Sequence, residues 1–204
     1  MFVFTKNDLL TLMNEYKACY ESYQFVNSCE DIEECLEKAP FEYIMWVLVK
    51  KPELSCLVDW SKLDGRDWLY LLRNQPQFET YCYWDELDGW EWAKLLIEQP
   101  HFANKCDWSK LSGFNWLLLL QDRPEFAEFC DWDKLSGEDW RCLLALQPQF
   151  ANKCNWDKLN GWEWAKLLIG QPQFADKCDW KKLDKVDWHY LLAIRPQFVK
   201  YKPI

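Results

Sequence analysis

The sequence is short of the residues that most enzyme and metal sites require. It has only two histidines, His101 and His189, and it has no pair of cysteines separated by two residues. The histidines stand at different phases of a repeat, with no serine or cysteine at a repeated offset to form a nucleophile and base pair. Zinc sites commonly use the absent Cys-x-x-Cys spacing. We therefore expect neither enzyme activity nor a metal or cofactor site.

Long apolar runs are also absent. No stretch approaches the roughly 18 apolar residues that a membrane-spanning helix needs. The apolar start of the chain, residues 1–4, is too short for a signal peptide. These features predict no membrane partner and a cytoplasmic location.

Positive charge is the third scarce feature. The net charge is -9, and residues 1–55 carry ten acids and five bases, against 23 acids and 19 bases in residues 56–204. No basic stripe is available for phosphates, so we expect no direct binding of nucleic acid. The acidic first quarter leaves open a weaker hypothesis, an acidic mimic of nucleic acid.

What the chain has in abundance is tryptophan, placed with a strict 24-residue period. One tryptophan opens each unit, at Trp60, Trp84, Trp108, Trp132, Trp156 and Trp180. A second follows eight residues later, at Trp68, Trp92, Trp116, Trp140, Trp164 and Trp188. A Leu-Leu pair, a proline and a phenylalanine then recur at fixed offsets. Such a short period with fixed apolar phases is typical of stacked repeats, none of which buries its apolar face alone.

Each unit contains the sequence signals of one main helix, a second short helix and a single helical turn. Asp64 and its equivalents are good N-caps, and an acid or amide three places later completes a capping box. The helix is expected to start near Gly65 and to stop before Pro76, because the residue before proline is pushed out of helical geometry. A second, short helix should place Phe78 and Cys82 inward, and the Asp-Trp-x-x-Leu segment is predicted to form one turn of α or 3₁₀ helix.

These patterns predict an all-α fold, a short-repeat α-solenoid. It would be a superhelical stack of helix pairs, with α and 3₁₀ helices as a possible alternation. We divide the chain into an N-terminal helical cap at 1–35, a degenerate first repeat at 36–58, six 24-residue repeats at 59–198 and a C-terminal tail at 199–204. The cap is expected to begin with one helix from Thr5 to about Tyr23, and Trp46 is expected to pack against it.

The motif Cys-Asp-Trp-x-Lys-Leu-x-Gly-x-x-Trp-x-x-Leu-Leu-x-x-Gln-Pro-x-Phe-Ala, seen at Cys130 to Ala151, resembles tandem repeats of uncharacterised bacterial proteins. Its period also resembles that of the leucine-rich-repeat-variant family, which would imply alternating α and 3₁₀ helices in a superhelix. That family lacks the paired tryptophans, so the similarity is one of period and not of motif. Neither resemblance implies an activity.

Five of the ten cysteines occupy one phase of the repeat, at Cys82, Cys106, Cys130, Cys154 and Cys178. Their Cα atoms should lie about one repeat apart, beyond the roughly 7 Å that a disulfide spans. We interpret them as small buried apolar groups in a reducing compartment.

The positions that vary within the constant framework are the candidate binding residues. The position after the glycine phase forms a possible ridge, at Arg66, Trp90, Phe114, Glu138, Trp162 and Val186. A second variable row includes Tyr70 and Tyr190. Exposed aromatic and arginine side chains are typical anchors of protein interfaces. The alternative is that these rings lie flat over neighbouring repeats and only widen the core.

The sequence therefore favours a non-enzymatic interaction module that binds a protein or peptide partner, as a scaffold or an inhibitor. The alternative is a self-assembling structural protein, in which a homo-oligomer forms through exposed ends or ridges.

Overall fold

The computed structural model describes residues 4–203 and contains only α-helices, 3₁₀ helices, turns and bends in that range. The first three residues of the predicted cap and the last residue of the predicted tail lie outside it. The chain forms two compact units, Met1–Leu87 and Asp88–Ile204. The fold is an all-α solenoid of short repeats, as the sequence predicts.

The first unit holds five α-helices: α1 Lys6–Glu15, α2 Tyr20–Ser28, α3 Ile32–Lys38, α4 Phe41–Lys50 and α5 Gly65–Asn74. The capping box predicted at Thr5 is confirmed. The single helix predicted from Thr5 to Tyr23 is wrong, because α1 ends at Glu15 and α2 begins five residues later. Lys17 lies between them with a φ of 53°, in the left-handed region that ends a helix.

The helical cap has its own apolar core. Leu9, Leu12 and Met13 of α1 pack with Val26 and with the buried side chains of α3. Trp46 packs against this cluster as predicted, and its ring meets Tyr16 edge-on at 6.4 Å between centroids.

The second unit holds the helices α6 Gly89–Glu98, α7 Gly113–Asp122, α8 Gly137–Leu146, α9 Gly161–Gly170 and α10 Lys185–Ile194, each packed against the next. Before each repeat helix lies a one-turn 3₁₀ helix, the Trp turn, at Trp60–Lys62, Trp84–Glu86, Trp108–Lys110, Trp132–Lys134, Trp156–Lys158 and Trp180–Lys182. After each lies a longer 3₁₀ helix, the Pro-Phe segment. These segments are Pro76–Tyr81, Pro100–Lys105, Pro124–Phe129, Pro148–Asn152, Pro172–Asp176 and Pro196–Tyr201. The helix of the degenerate repeat, α4, is likewise followed by a 3₁₀ helix, Pro52–Leu57.

The capping boxes set the start of every repeat helix, α5 to α10. At α9 the Asn160 side chain accepts a hydrogen bond from the backbone N–H of Glu163 at 3.0 Å, and the Glu163 carboxylate accepts one from the N–H of Asn160 at 2.7 Å. The helix then ends before Pro172. The segment that follows the proline is 3₁₀ and not α, so the predicted inward pair of Phe78 and Cys82 is only half right: Phe78 is buried, but the helix ends before Cys82.

Stacked aromatic rings fill the core of each repeat. Trp156 lies nearly parallel to Trp164, with 5.3 Å between ring centroids and 16° between planes, and Phe174 packs on Trp156 at 5.4 Å. Trp164 has no exposed surface, and its indole N–H has no hydrogen-bond acceptor. A buried N–H without an acceptor costs about 1–3 kcal/mol, which the burial and stacking of two large rings must offset.

Consecutive repeats of the second unit meet at the glycine that starts each helix. A side chain added at Gly137 would collide with the backbone carbonyl of Lys158 and with the carboxylate of Glu163, both in the following repeat. The same clash would arise at Gly89, Gly113 and Gly161. In the last repeat the glycine is replaced by Lys185, whose side chain is exposed. The glycine is therefore required by close approach, not by an unusual backbone angle.

In each of the last three repeats, two long side chains reach back to the preceding repeat. Lys158 of a Trp turn donates to the carbonyl oxygens of Asp133 and Leu135 at 2.6 and 2.8 Å. Gln171, just after α9, donates from its side-chain amide to the carbonyl of Ala145 at 2.8 Å. These bonds satisfy carbonyl groups that the 3₁₀ turn and the end of α8 leave without intrahelical partners.

The glycine contact yields a stability prediction. Gly137→Ala should lower the free energy of unfolding by about 3 kcal/mol, because a backbone carbonyl of the next repeat must move. Gly170→Ala is the matched control, since it lies in the last turn of α9 with nothing within 4 Å of the added methyl. It should be neutral or stabilising by up to about 1 kcal/mol. Urea unfolding of both variants measures the difference, and equal effects would contradict the proposed close contact.

Candidate protein interface

A narrow face of α9 remains open to solvent. It comprises Trp162, Lys166, Ile169 and Gly170, which fall within about 100° of one another around the helix axis. Every other residue of this helix is buried. We call these four positions, and their equivalents in α6, α7, α8 and α10, the outer face of the second unit.

The structure places the predicted ridge on this outer face. Trp90, Phe114 and Trp162 are 44%, 55% and 41% exposed, and Val186 is 67% exposed. Glu138 is exposed as well. These rings therefore do not lie covered in the core, which was the alternative interpretation of the sequence. In contrast, the framework tryptophans two residues further on, Trp92, Trp116 and Trp164 among them, have no exposed surface.

The outer face is densest in aromatic rings around Trp162. The Lys166 ammonium group lies 4.7 Å from the centre of the Trp162 ring, at cation–π distance. Tyr190 of the next repeat packs on the same ring at 4.8 Å between centroids and is only half-buried. The equivalent lysine on α6, Lys94, lies farther from Trp90, at 5.9 Å. The sequence placed Tyr190 in a second variable row, and the structure joins that row to the ridge.

Glu138 is the acidic member of the ridge, and it is not free. Arg141, one turn along α8, donates two hydrogen bonds to its carboxylate. These bonds hold the pKa of Glu138 below its usual value, so the carboxylate stays ionised and paired with Arg141.

Two of the predicted residues, Arg66 and Tyr70, belong to the first unit. Both are exposed and line a groove of about 720 Å³ beside α4, together with Trp46 and Val49. The Tyr70 ring also meets Phe41 edge-on at 6.3 Å between centroids. This groove has a mixed lining, with Asp67 and Asn74 among its polar residues.

Sequence reasoning missed the last two positions of the outer face. Ala145 and Leu146 on α8, and Ala193 and Ile194 on α10, are all exposed. A helical-wheel argument could have found them, because they lie seven and eight residues after the ridge position.

Other candidates are weaker. His101 and His189 are both exposed and lie on different elements. No group of three potential metal ligands occurs among residues 4–203. An apolar cavity of about 320 Å³ lies between the cap and α4, lined by residues such as Met13, Phe25 and Val47.

All ten cysteines are free thiols. Burial raises the pKa of the repeated cysteines to about 12, at Cys82, Cys106, Cys130, Cys154 and Cys178. A thiol is nucleophilic only as its thiolate. The repeated cysteines are therefore inert at neutral pH, as expected for small apolar groups.

Comparison of the chain with family models, with curated proteins and with solved structures finds no match. Within the described part of the chain, no helix has the length and apolar character needed to cross a bilayer.

The thiol pKa values predict both reactivity and pH dependence. Iodoacetamide at pH 8 should modify the exposed Cys19 and Cys56 and leave Cys106, Cys130 and Cys154 unmodified until the protein unfolds.

A buried thiol with a pKa of about 12, against an ordinary 9.0, contributes stability that is complete below pH 9. That contribution should disappear as the pH rises towards 12. Peptide mapping measures the labelling, and unfolding at alkaline pH measures the loss of stability. Labelling of the repeated cysteines in the folded protein would contradict the prediction.

Proposed function

We propose that the protein is a non-enzymatic interaction module that binds a protein or peptide partner through the outer face of its second unit. The observation that supports this is the exposure of Trp90, Phe114 and Trp162 on helices whose second tryptophans, Trp92, Trp116 and Trp164, are fully buried. Large apolar rings are rarely left in contiguous surface patches without a partner. Aromatic anchors of this kind also dominate the binding energy of protein interfaces.

The construction of the repeat suits this role. The framework residues recur in every unit, while the outer-face positions change from repeat to repeat. A stacked-repeat protein can thus present a row of variable side chains on a constant support, as extended repeat surfaces do in recognition. The role would be that of a scaffold or of an inhibitor that covers its partner.

Self-assembly is the second candidate function. It is favoured by the exposed aliphatic side chains of Leu146, Val186 and Ile194, which a second copy of the chain could cover. The two proposals differ in sedimentation, because only self-assembly gives a mass that rises with protein concentration.

Membership in a family of bacterial tandem-repeat proteins is proposed from the repeat motif alone, and it carries no activity. A cytoplasmic location is proposed on the free state of all ten cysteines, which a reducing compartment would maintain.

The binding proposal can be tested by site-specific cross-linking. With photo-reactive benzoylphenylalanine in place of Phe114 on the outer face, ultraviolet light in native cells should give one discrete cross-linked product. Phe129 is the matched control: it is also an exposed phenylalanine, 44% against 55%, but it lies in a Pro-Phe segment stacked on Trp108. No product should form from it.

Equal products from both positions, or products from neither, would contradict the outer face as the binding surface. A product containing only this chain would favour self-assembly.

A further inference from the structure

The outer face changes character between its first and second halves. On α6 and α7 its last position is an acid, Glu98 and Asp122. On α8, α9 and α10 the same position is Leu146, Gly170 and Ile194. Of the twelve outer-face positions on these three helices, only Glu138 and Lys166 carry charge. We call the outer face of α8–α10 the apolar patch.

The size of this patch limits what can cover it. Along each helix it runs eight residues, about 12 Å. Across three helices spaced by about 8–10 Å it extends for roughly 25 Å, so its area is about 300–400 Å². A stable dimer needs about 800 Å² per partner. The patch is therefore small for a second copy of this chain and suits a short segment of another protein.

The chemistry of the patch selects the conformation of that segment. Apart from Glu138, Lys166, the phenol of Tyr190 and the thiol of Cys142, which already contacts Glu138 and Arg141, its side chains offer no polar group. The backbone groups of the three helices are engaged within the helices themselves. An extended peptide lying here would lose water from its own N–H and C=O groups and find no replacement. A helix makes those hydrogen bonds internally, so it can cover an apolar patch without this cost.

The charges around the patch select the flanks of that helix. Lys166 projects over Trp162 inside the patch, and Lys185 is exposed at the start of α10. Two carboxylates lie beside the patch: Glu138 is paired with Arg141, and Asp184 accepts hydrogen bonds from the N–H groups at the start of α10. With Lys166, Lys185 and Arg141 against these two carboxylates, the local charge is positive, although the chain as a whole is acidic. Charge complementarity favours acidic flanks on the partner.

We propose that the apolar patch of α8–α10 binds an amphipathic helix of another protein, with an apolar stripe and acidic flanks. A helix of about 16 residues is about 24 Å long and matches the width of the patch. This inference rests on the proposed function, because it names the partner chemistry for the same outer face.

Three synthetic peptides of 16 residues test it by fluorescence anisotropy with the full-length protein. The first carries leucines at helical spacing between glutamate flanks, the second has lysines in place of the glutamates, and the third is the first with a central proline. The glutamate peptide should bind. The lysine peptide should bind at least about tenfold more weakly, and the proline peptide, which cannot form one continuous helix, should not bind measurably.

A matched pair of variants locates the site. Phe129, in a Pro-Phe segment outside the outer face, is as exposed as Trp162, 44% against 41%, so Phe129→Ser and Trp162→Ser each remove one half-exposed ring. Trp162→Ser should weaken binding of the glutamate peptide by about tenfold or more, while Phe129→Ser leaves it unchanged. Leu146→Glu, at a 64% exposed position, should abolish binding without unfolding the protein.

Equal losses from Phe129→Ser and Trp162→Ser would overturn the location, and equal binding of the two charged peptides would overturn the acidic chemistry. Binding of the proline peptide, or of none of the three, would overturn the helical occupant. A dimer that Leu146→Glu dissociates would identify a second copy as the occupant and overturn the proposal as well. If position 114 gives a discrete cross-link to another protein but none of the three peptides binds, only this inference is refuted. If the cross-link fails to form as well, the proposed function is also refuted.

Discussion

The close contact between consecutive repeats at the helix-starting glycine is the constraint on which the second unit depends. Gly137 is buried against the carbonyl of Lys158 and the capping carboxylate of Glu163. The same carboxylate caps its own helix, so one side chain serves both the local helix and the stacking of repeats. Lys158 then binds carbonyls of the preceding repeat. The starts of α6 to α9 are thus fixed by the repeat that follows each, which lets a 24-residue unit stack without a long second helix.

This arrangement divides each repeat helix into buried framework positions and exposed surface positions. The stacked rings of Trp156 and Trp164 and the repeated Leu-Leu pairs face inward and are buried or half-buried. What remains of each helix is one strip about a quarter of its circumference wide. Because that strip lies outside the buried core, its residues can change for binding at a smaller cost to folding than core residues can. The change from Asp122 on α7 to Leu146 on α8 illustrates this freedom.

The sequence was informative where the structure is local and periodic. The capping boxes, the proline stops and the inward Trp-x-x-Leu-Leu stripe were all predictable, since each depends on residues within one turn of helix. The position of Trp46 against the cap was predictable from its departure from the repeat phase. The ridge residues could be named, but their exposure could not be decided, because a ring at the helix start can face solvent or a neighbour.

Features that depend on distances between repeats were out of reach. The hydrogen bonds from Lys158 and Gln171 to carbonyl groups of the preceding repeat join residues 23 to 26 positions apart. The sequence of a single unit does not predict them. The break between α1 and α2 was missed because apolar residues continue at helical spacing through Tyr16 and Tyr20, although Lys17 turns the chain. The apolar patch required knowing which strip of each helix the stacking leaves open.

The central claim is that the aromatic residues of the outer face serve binding and not folding. The most direct test is urea unfolding of a variant in which Trp90, Phe114 and Trp162 are all serine. Our structure predicts a loss of about 1 kcal/mol for each ring, because each is 41–55% exposed and full burial of such a side chain is worth about 1.5–3 kcal/mol. A loss near 3–5 kcal/mol per residue, the cost of removing a core aromatic ring, would show that these rings belong to the framework and would contradict the claim.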